Sequence, residues 1–357
     1  MAQHEGSPDL AAGEQIQSKH ITHHPAPRIG DLSGAYSVYA RLRDRLRAAV
    51  RGRDEVIELV IIAVLSDGHV LLEDFPGSGK TTLAKALGES IIDDKPHDEI
   101  VALRRIQFTP DLLPSDVTGT TIFDPNTARF FFRPGPLFAH IVLADEINRT
   151  TPKVQSALLE AMAEKQTTVD NCTRRLDDLF LVIATQNPLD VAGTFPLPNA
   201  QLDRFLFKIR MTHIAPEAEL EILRNHIQLR ASTDRDDLAR VTRTEILDAR
   251  GVILNQIHIH PAIHQALVEI ATATRNHQRI LQGVSTRSLV LALAALQARA
   301  LTCQRHYVTA EDVDRLANSI FSHRIEVAPG AGDAPSLIRE CTAGALERLA
   351  ASSMGRA

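Results

Sequence analysis

Tryptophan is absent from the 357-residue chain and tyrosine occurs only three times. That leaves few rings for stacking on bases, and the formal net charge of -5 supplies no electrostatic footprint for a polyanion. Nucleic acid is therefore not expected as a partner. Cysteine is scarce: Cys172, Cys303 and Cys341 lie far apart with no C-x-x-C spacing, which argues for reduced thiols in the cytoplasm and against disulfides or zinc. No apolar run approaches the ~18 to 20 residues needed to cross a bilayer, so no direct membrane insertion is expected. The opening "MAQHEGSPDL" has neither a basic segment nor an apolar core, so no secretion signal is expected there. What is present is 44% apolar and 23% charged residues, the composition of a globular chain long enough for two or three domains.

Residues 1–37 are rich in Gly, Ser, His, Gln and Pro, show no periodicity and predict a flexible tail. His4, His20, His23 and His24 fall in it without a spacing that would fix a metal geometry. From Val38 to Val64 apolar residues recur at helical spacing, broken at "RGRDE" (51–55). "GHVLLEDF" (68–75) predicts a buried strand and "TTLAKALGESI" (81–91) a helix. Further strand-like runs are "IVALRRIQF" (100–108), "IVLAD" (141–145) and "LFLVIAT" (179–185). Between them "PKVQSALLEAMAEKQ" (152–166) places Val154, Leu158, Ala161 and Met162 on one helical face. The alternation predicts an α/β fold, a mostly parallel sheet between helices. After about Arg210 the strands are expected to stop, with helices near 216–230, 244–257, 261–276, 286–302 and 309–322. The organisation expected is an α/β core over 38–212, linker helices over 213–250, a smaller all-helical lid over 251–327 and a tail over 328–357. In that tail "SLIRECTAGALERLAAS" (336–352) has helical spacing and is expected to pack on the lid. "HIHIHPAIH" (258–264) sits at a helix junction and is not expected to bind metal.

"LLEDFPGSGKTT" (71–82) joins the first strand to its helix. Gly77 and Gly79 permit a turn with inward-facing N–H groups, which with the helix N-terminus form an anion cradle. Lys80 is placed to reach the β and γ phosphates of a nucleotide, and the Thr81 hydroxyl to ligate Mg²⁺. Pro76, Ser78 and Thr82 complete the expected nucleotide contact. Asp74 stands where the strict phosphate-loop pattern has Gly, at the strand exit, where the chain need only turn.

Binding alone does not hydrolyse. "IVLADEINR" (141–149) ends a buried strand with two adjacent carboxylates, which are costly there without a cation. Asp145 would hold the Mg²⁺ shell and Glu146 polarise the attacking water. "LVIATQNP" (181–188) ends a third strand at Asn187, whose amide could orient the same water.

These segments, with "RIQFTPDLLPSDVTGT", "FFRPGPLFAH", "LPNAQLDRFLFKI" and "GVSTRSLVLAL", occur in the order of the MoxR-type AAA+ ATPases, and the chain resembles that family from Val38 to Val327. The resemblance implies a P-loop AAA+ core with an insertion in its second helix, here about 108–132. It implies that Arg204, in "LDRF", is an arginine finger entering a neighbouring subunit's ATP site, and that Arg287, in "GVSTRS", is the second sensor through which the lid responds to nucleotide. The family usually has Pro where Thr286 stands, and a Gly turn where this chain has "DNC" (170–172); Asn tolerates positive φ, so a hairpin is still expected. Also implied are ATP and Mg²⁺ as ligands, a ring of six copies, chaperone-like remodelling of client complexes, and partners carrying von Willebrand factor A domains. A different class, a nucleotide-gated scaffold with slow hydrolysis, is opposed by the complete set Lys80, Asp145, Glu146, Asn187 and Arg204. A AAA+ helicase or transcription activator is opposed by the lack of a zinc-binding or helix-turn-helix appendage, a basic tail or a GAFTGA loop.

Overall fold

The structure, a computed structural model, describes residues 32–73, 78–95, 99–188, 193–224 and 237–354. Five strands form the central sheet: β1 (Val70–Glu73), β2 (Val101–Gln107), β3 (Ala139–Asp145), β4 (Leu181–Gln186) and β5 (Phe207–Arg210). Their order is β5-β1-β4-β3-β2 and every pairing is parallel. Around and after the sheet lie α1 (Leu32–Ala49), α2 (Asp54–Leu65), α3 (Lys80–Glu89), α4 (Pro152–Glu164), α5 (Arg243–Gln256), α6 (Pro261–Asn276), α7 (Thr286–Thr302), α8 (Ala310–Phe321) and α9 (Ala334–Met354).

Strand period two sorts the apolar side chains between the two faces. Val70, Leu72, Ile141, Leu143, Leu181 and Ile183 pack with α1, α2, α3 and the helical region. Leu71, Val142, Ala144, Val182 and Ala184 pack against α4 through Val154, Leu158 and Met162. All seven residues of β3 are buried, as a central strand covered on both faces requires. Edge strand β2 leaves Arg104 and Arg105 exposed, so charged side chains are tolerated there.

Phe108, Val117, Leu137 and Phe138, from the expected insertion and the residues after it, belong to the α4-side core. The insertion holds a short helix, Pro114–Thr118, and an antiparallel hairpin, Gly119–Asp124 with Arg129–Pro134. Gly135 closes its base: a Cβ there would lie 2.3 Å from the backbone nitrogen of Gly119. A second hairpin pairs Gln166–Val169 with Cys172–Arg175. Its two-residue turn, Asp170 (φ 50) and Asn171 (φ 61), has the positive φ values that match a right-twisted hairpin.

Three details differ from the sequence expectations. The first helix begins at Leu32, inside the stretch expected to be tail, because Ala35, Val38 and Leu42 are buried on one face of it. Strands do not end at Arg210: Val241–Thr242 pairs with Ile91–Ile92, and Ile280–Gln282 with Glu326–Val327. Such two- and three-residue ladders are too short to leave a periodic signal. The helix α5 runs without a break across the expected linker–lid boundary at 250–251. The terminal helix α9 lies on α6 and α8 with Leu337, Ile338, Cys341 and Ala345 buried. In "HIHIHPAIH", His260 caps α6 by accepting the N–H of Ala262 at 3.1 Å, and His258 pairs its backbone with His306 and Val308. Among the described residues no group of three or more His, Cys, Asp or Glu could hold a metal ion, and no helix is long and apolar enough to cross a membrane. His4, His20, His23 and His24 lie outside the described residues.

Candidate nucleotide site

Parallel pairing brings the carboxyl ends of the strands into register. Gln107 stands opposite Asp145, and Glu73 opposite Gln186. One cleft of about 400 Å³ opens along these ends, lined by Ser78, Gly79, Lys80, Thr81, Thr82, Arg105, Gln107, Asp145, Glu146 and Asn187. The phosphate loop, the acidic pair and the amide, read separately along the chain, thus face one space. Pro76, Gly77 and Asp74 lie outside the described residues.

Gly79 caps α3 at φ 94 and ψ 11, a backbone conformation in which a side chain is strained. The first-turn N–H groups of α3 have no acceptors within the helix and open toward the cleft beside Lys80 and Thr81.

Asp145 ends β3 buried, with both carboxylate oxygens engaged. Thr185 Oγ1 donates to Oδ1 at 2.7 Å, and Arg105 donates to Oδ2 from Nε at 3.1 Å and Nη2 at 2.8 Å. Glu146 follows at φ 58 and ψ 49, a left-handed conformation that costs a residue with a Cβ about 1–2 kcal/mol. It is held there by its own N–H, which donates to Thr185 Oγ1 at 2.9 Å. The reversal turns the Glu146 side chain away from that of Asp145. Glu146 Oε2 then accepts from Gln107 Nε2 at 2.9 Å and pairs with Arg149 Nε at 3.0 Å. Gln107 Oε1 accepts from Arg105 at 3.2 Å, so a hydrogen-bonded chain runs Thr185–Asp145–Arg105–Gln107–Glu146–Arg149. Thr185, Arg105 and Gln107 were missed in the sequence. Their one signal is that each is a polar residue within the last three positions of a strand.

A second cavity, of about 250 Å³, lies between the α1–α2 turn at Gly52–Val56 and the chain after β5 at Arg210–Ala215. Val50, just before that turn, is 3.9 Å from where a Cβ on Gly79 would sit, so the chain entering the turn approaches the phosphate loop.

Neither Arg204 nor Arg287 lines the phosphate cleft. Arg204 lies between the short helix Asn199–Leu202 and β5, its Nη1 donating to the carbonyl of Leu159 on α4. Arg287 is exposed at the start of α7. Their neighbours are bonded: Ser288 Oγ donates to Asp203 Oδ1 at 2.9 Å. The two arginines therefore belong to one corner of the fold.

A strand–loop–helix phosphate site, an acidic pair on the next-but-one strand, and a helical region appended after β5 define a nucleotide-hydrolysing core with a lid. The profile of the ATPase family associated with various cellular activities (AAA) matches residues 69–207, and that of the AAA lid domain matches residues 272–340. The chain is 42% identical to YeaC of Bacillus subtilis over 83% of its own length and 91% of the relative's. It is 34% identical to Chaperone MoxR1 of Mycobacterium tuberculosis over 90% of this chain and 85% of the relative. A crystal structure from Cytophaga hutchinsonii, assigned as an ATPase, superposes with a TM-score of 0.76 at 34% identity, covering 86% of this chain and 95% of that one. The chain belongs to the MoxR family of AAA+ ATPases, and its activity is ATP hydrolysis.

Proposed function

We propose that the chain hydrolyses Mg²⁺-bound ATP as a ring of six like subunits and uses the resulting motion to remodel or mature partner protein complexes in the cytoplasm. The observation that carries this reading is the convergence of Lys80, Thr81, Asp145, Glu146 and Asn187 on one cleft. The Thr81 hydroxyl and the Asp145 carboxylate are hard oxygen donors. They suit Mg²⁺, which takes one or two protein oxygens together with phosphate and water. When bound, the ion would neutralise charge developing between the β and γ phosphates.

The residues of this chain do the rest. Lys80 and the first turn of α3 bind the phosphates, and the cavity at the α1–α2 turn receives the base. Glu146 takes the proton of the attacking water, and Asn187 orients that water. Arg204 stands outside its own subunit's cleft, which supports a role for it at a neighbour's nucleotide, while Arg287 is the second sensor through which the subunit's own lid responds to nucleotide. Arg204 then supplies the transition-state charge, worth ~10³ to 10⁵ in rate in related phosphoryl transfer. The chaperone named among the relatives supports a remodelling role, with a von Willebrand factor A domain protein as the partner class.

The test is steady-state turnover against protein concentration, with and without Mg²⁺. Turnover per subunit should rise as subunits associate and vanish with the ion removed. A flat profile at all concentrations would remove the ring from the proposal. The engagement of both carboxylates by Arg105, Gln107 and Arg149 favours one second reading, a nucleotide-gated scaffold with slow hydrolysis. Turnover that stays slow at concentrations where rings are complete would select it.

A further inference from the structure

The segment that carries Arg204 is gripped by a buried guanidinium of the helical region. Arg324 sits in the turn Ser322–Arg324 after α8, its side chain 1% exposed. Its Nε donates to Asp203 Oδ1 at 2.8 Å. Its Nη2 donates to the carbonyls of Asp203 at 3.3 Å and Phe205 at 2.7 Å, and its Nη1 to that of Leu206 at 3.2 Å. The carbonyl of Phe205 is also 3.0 Å from His323 Nε2. One side chain of the helical region thus grips the backbone on both sides of Arg204. Asp203 Oδ1 accepts a second bond, from Ser288 Oγ on α7, the residue after Arg287. The Asp203 carboxylate is therefore shared between the Ser322–Arg324 turn and the helix that begins with Arg287.

We propose that Asp203, held by Ser288 and Arg324, is the positioning residue for Arg204 and ties its presentation to a neighbour's nucleotide to the placement of the subunit's own helical region. This rests on the reading of Arg204 as a finger acting in trans. A buried charge-assisted pair holds its geometry tightly because separating it strands a guanidinium in a dry interior. Through these bonds a displacement of α7 or of the Ser322–Arg324 turn is passed directly to residues 203–206. Arg204 is then set by the helical region, while its contact with Leu159 ties it to α4, the helix that follows Glu146 and Arg149. The finger offered to one nucleotide is thereby linked to the helical region and acidic pair of the subunit that offers it.

Removal of the Asp203 carboxylate would leave Arg324 buried without its counter-charge and risks the fold, so the test uses Ser288. Ser288→Ala should bind a fluorescent ATP analogue with parental affinity, sediment as the parent does and keep KM. Its kcat should fall about tenfold, since a misplacement of ~1 Å in a reacting geometry costs up to ~100-fold. Ser288→Thr, which keeps the hydroxyl, should restore kcat. Two mixtures then locate the defect. Excess Lys80→Ala subunits bring sound fingers to the phosphate loops of Ser288→Ala subunits, and turnover should recover. Excess Arg204→Ala subunits bring sound loops but no finger, and turnover should stay low. If both mixtures respond alike, Asp203 does not act through Arg204 and the proposal is overturned. Arg204→Ala mixed with Lys80→Ala is the control on the underlying reading. If that pair fails to complement, the finger itself does not act in trans, and the positioning role falls with it.

Discussion

Thr185 holds both halves of the acidic pair: its hydroxyl donates to Asp145 Oδ1 at 2.7 Å and accepts the N–H of Glu146 at 2.9 Å. One fully buried side chain therefore fixes the carboxylate assigned to the cation and the backbone reversal that aims the carboxylate assigned to water. Thr185→Val keeps the shape and removes both bonds, leaving two buried polar groups to find other partners. Stability should drop by about 1–3 kcal/mol in urea unfolding, and kcat should fall tenfold or more with ATP affinity nearly intact. Thr185→Ser should behave as the parent. A valine variant with parental kcat would mean that the pair keeps its geometry without the hydroxyl.

Glu146→Gln and Lys80→Ala should separate chemistry from binding. The amide is isosteric and can still meet Gln107, but it cannot take a proton. ATP should bind as before and hydrolysis should fall by ~10²- to 10⁴-fold. Lys80→Ala removes a cation that contacts phosphate, worth about 1.5–3 kcal/mol, so its Kd should rise by ~10- to 100-fold. Isothermal titration beside a phosphate-release assay measures both. Parental turnover in Glu146→Gln would remove the base from the mechanism.

Arg204→Ala should bind nucleotide normally and be almost inactive at every concentration, whereas the parent should gain specific activity as it associates. Sizing and turnover measured on the same dilution series check this. Activity in Arg204→Ala that follows the parent's concentration curve would assign the missing charge to another residue.

The pH dependence of stability should carry the mark of His140 on β3. Its ring is 1% exposed between two carboxylates, with Nε2 3.3 Å from Asp93 and Nδ1 3.4 Å from Asp177. The ring nitrogens form no well-aligned hydrogen bond, but both carboxylates lie close enough to favour the protonated ring. Burial pushes the imidazole pKa down, but Asp177 and Asp93 reverse that and leave it above the ordinary value. A His raised on folding stabilises fully below its unfolded pKa of ~6.5 and loses that contribution as pH climbs through the folded value. Urea unfolding should therefore show stability falling as pH rises above about 6.5, and His140→Gln should flatten that slope. Buried His69, lowered by burial to about 4, acts in the other direction and only below ~6.5, so the two windows separate. Asp177 is pushed up by burial but drawn to about 2 by His140, Arg243 and the N–H of Leu179. Its contribution is kept above about pH 4 and lost as pH falls toward 2. An unchanged slope in His140→Gln would detach the imidazole from the effect.

The parts of the site that were legible in the sequence are those whose role follows from position along the chain. Asp145 and Glu146 end an apolar run, Asn187 ends another, and Lys80 follows a glycine turn, so each announces a strand's carboxyl end. Arg105, Gln107 and Thr185 were not legible, because their work depends on register between strands far apart in sequence. Arg105 reads as an exposed edge-strand charge until the pairing of β2 with β3 sets it against Asp145. The bond between Asp203 and Ser288 spans residues from the core and the helical region and has no local signature. Of the fold, the long helices and central strands carried clear periodicity. The hairpin Gly119–Asp124 with Arg129–Pro134 did not, since Phe123, Phe130 and Phe131 are all substantially exposed and break the apolar-in pattern.

The first helix has a mechanical consequence for the whole molecule. α1 lies against both α3, which begins at Lys80, and α5 of the helical region. Arg41 pairs with Glu245, and buried Arg45 reaches Ser90 on one side and the carbonyl of Leu238 on the other. Arg250 on α5 donates to the carbonyls of Val64 and Asp178 in the core. A strut packed along both bodies leaves no free axis about which they could swing open like a door. Such packing favours a slide of packed helices, a shear that keeps side chains interdigitated.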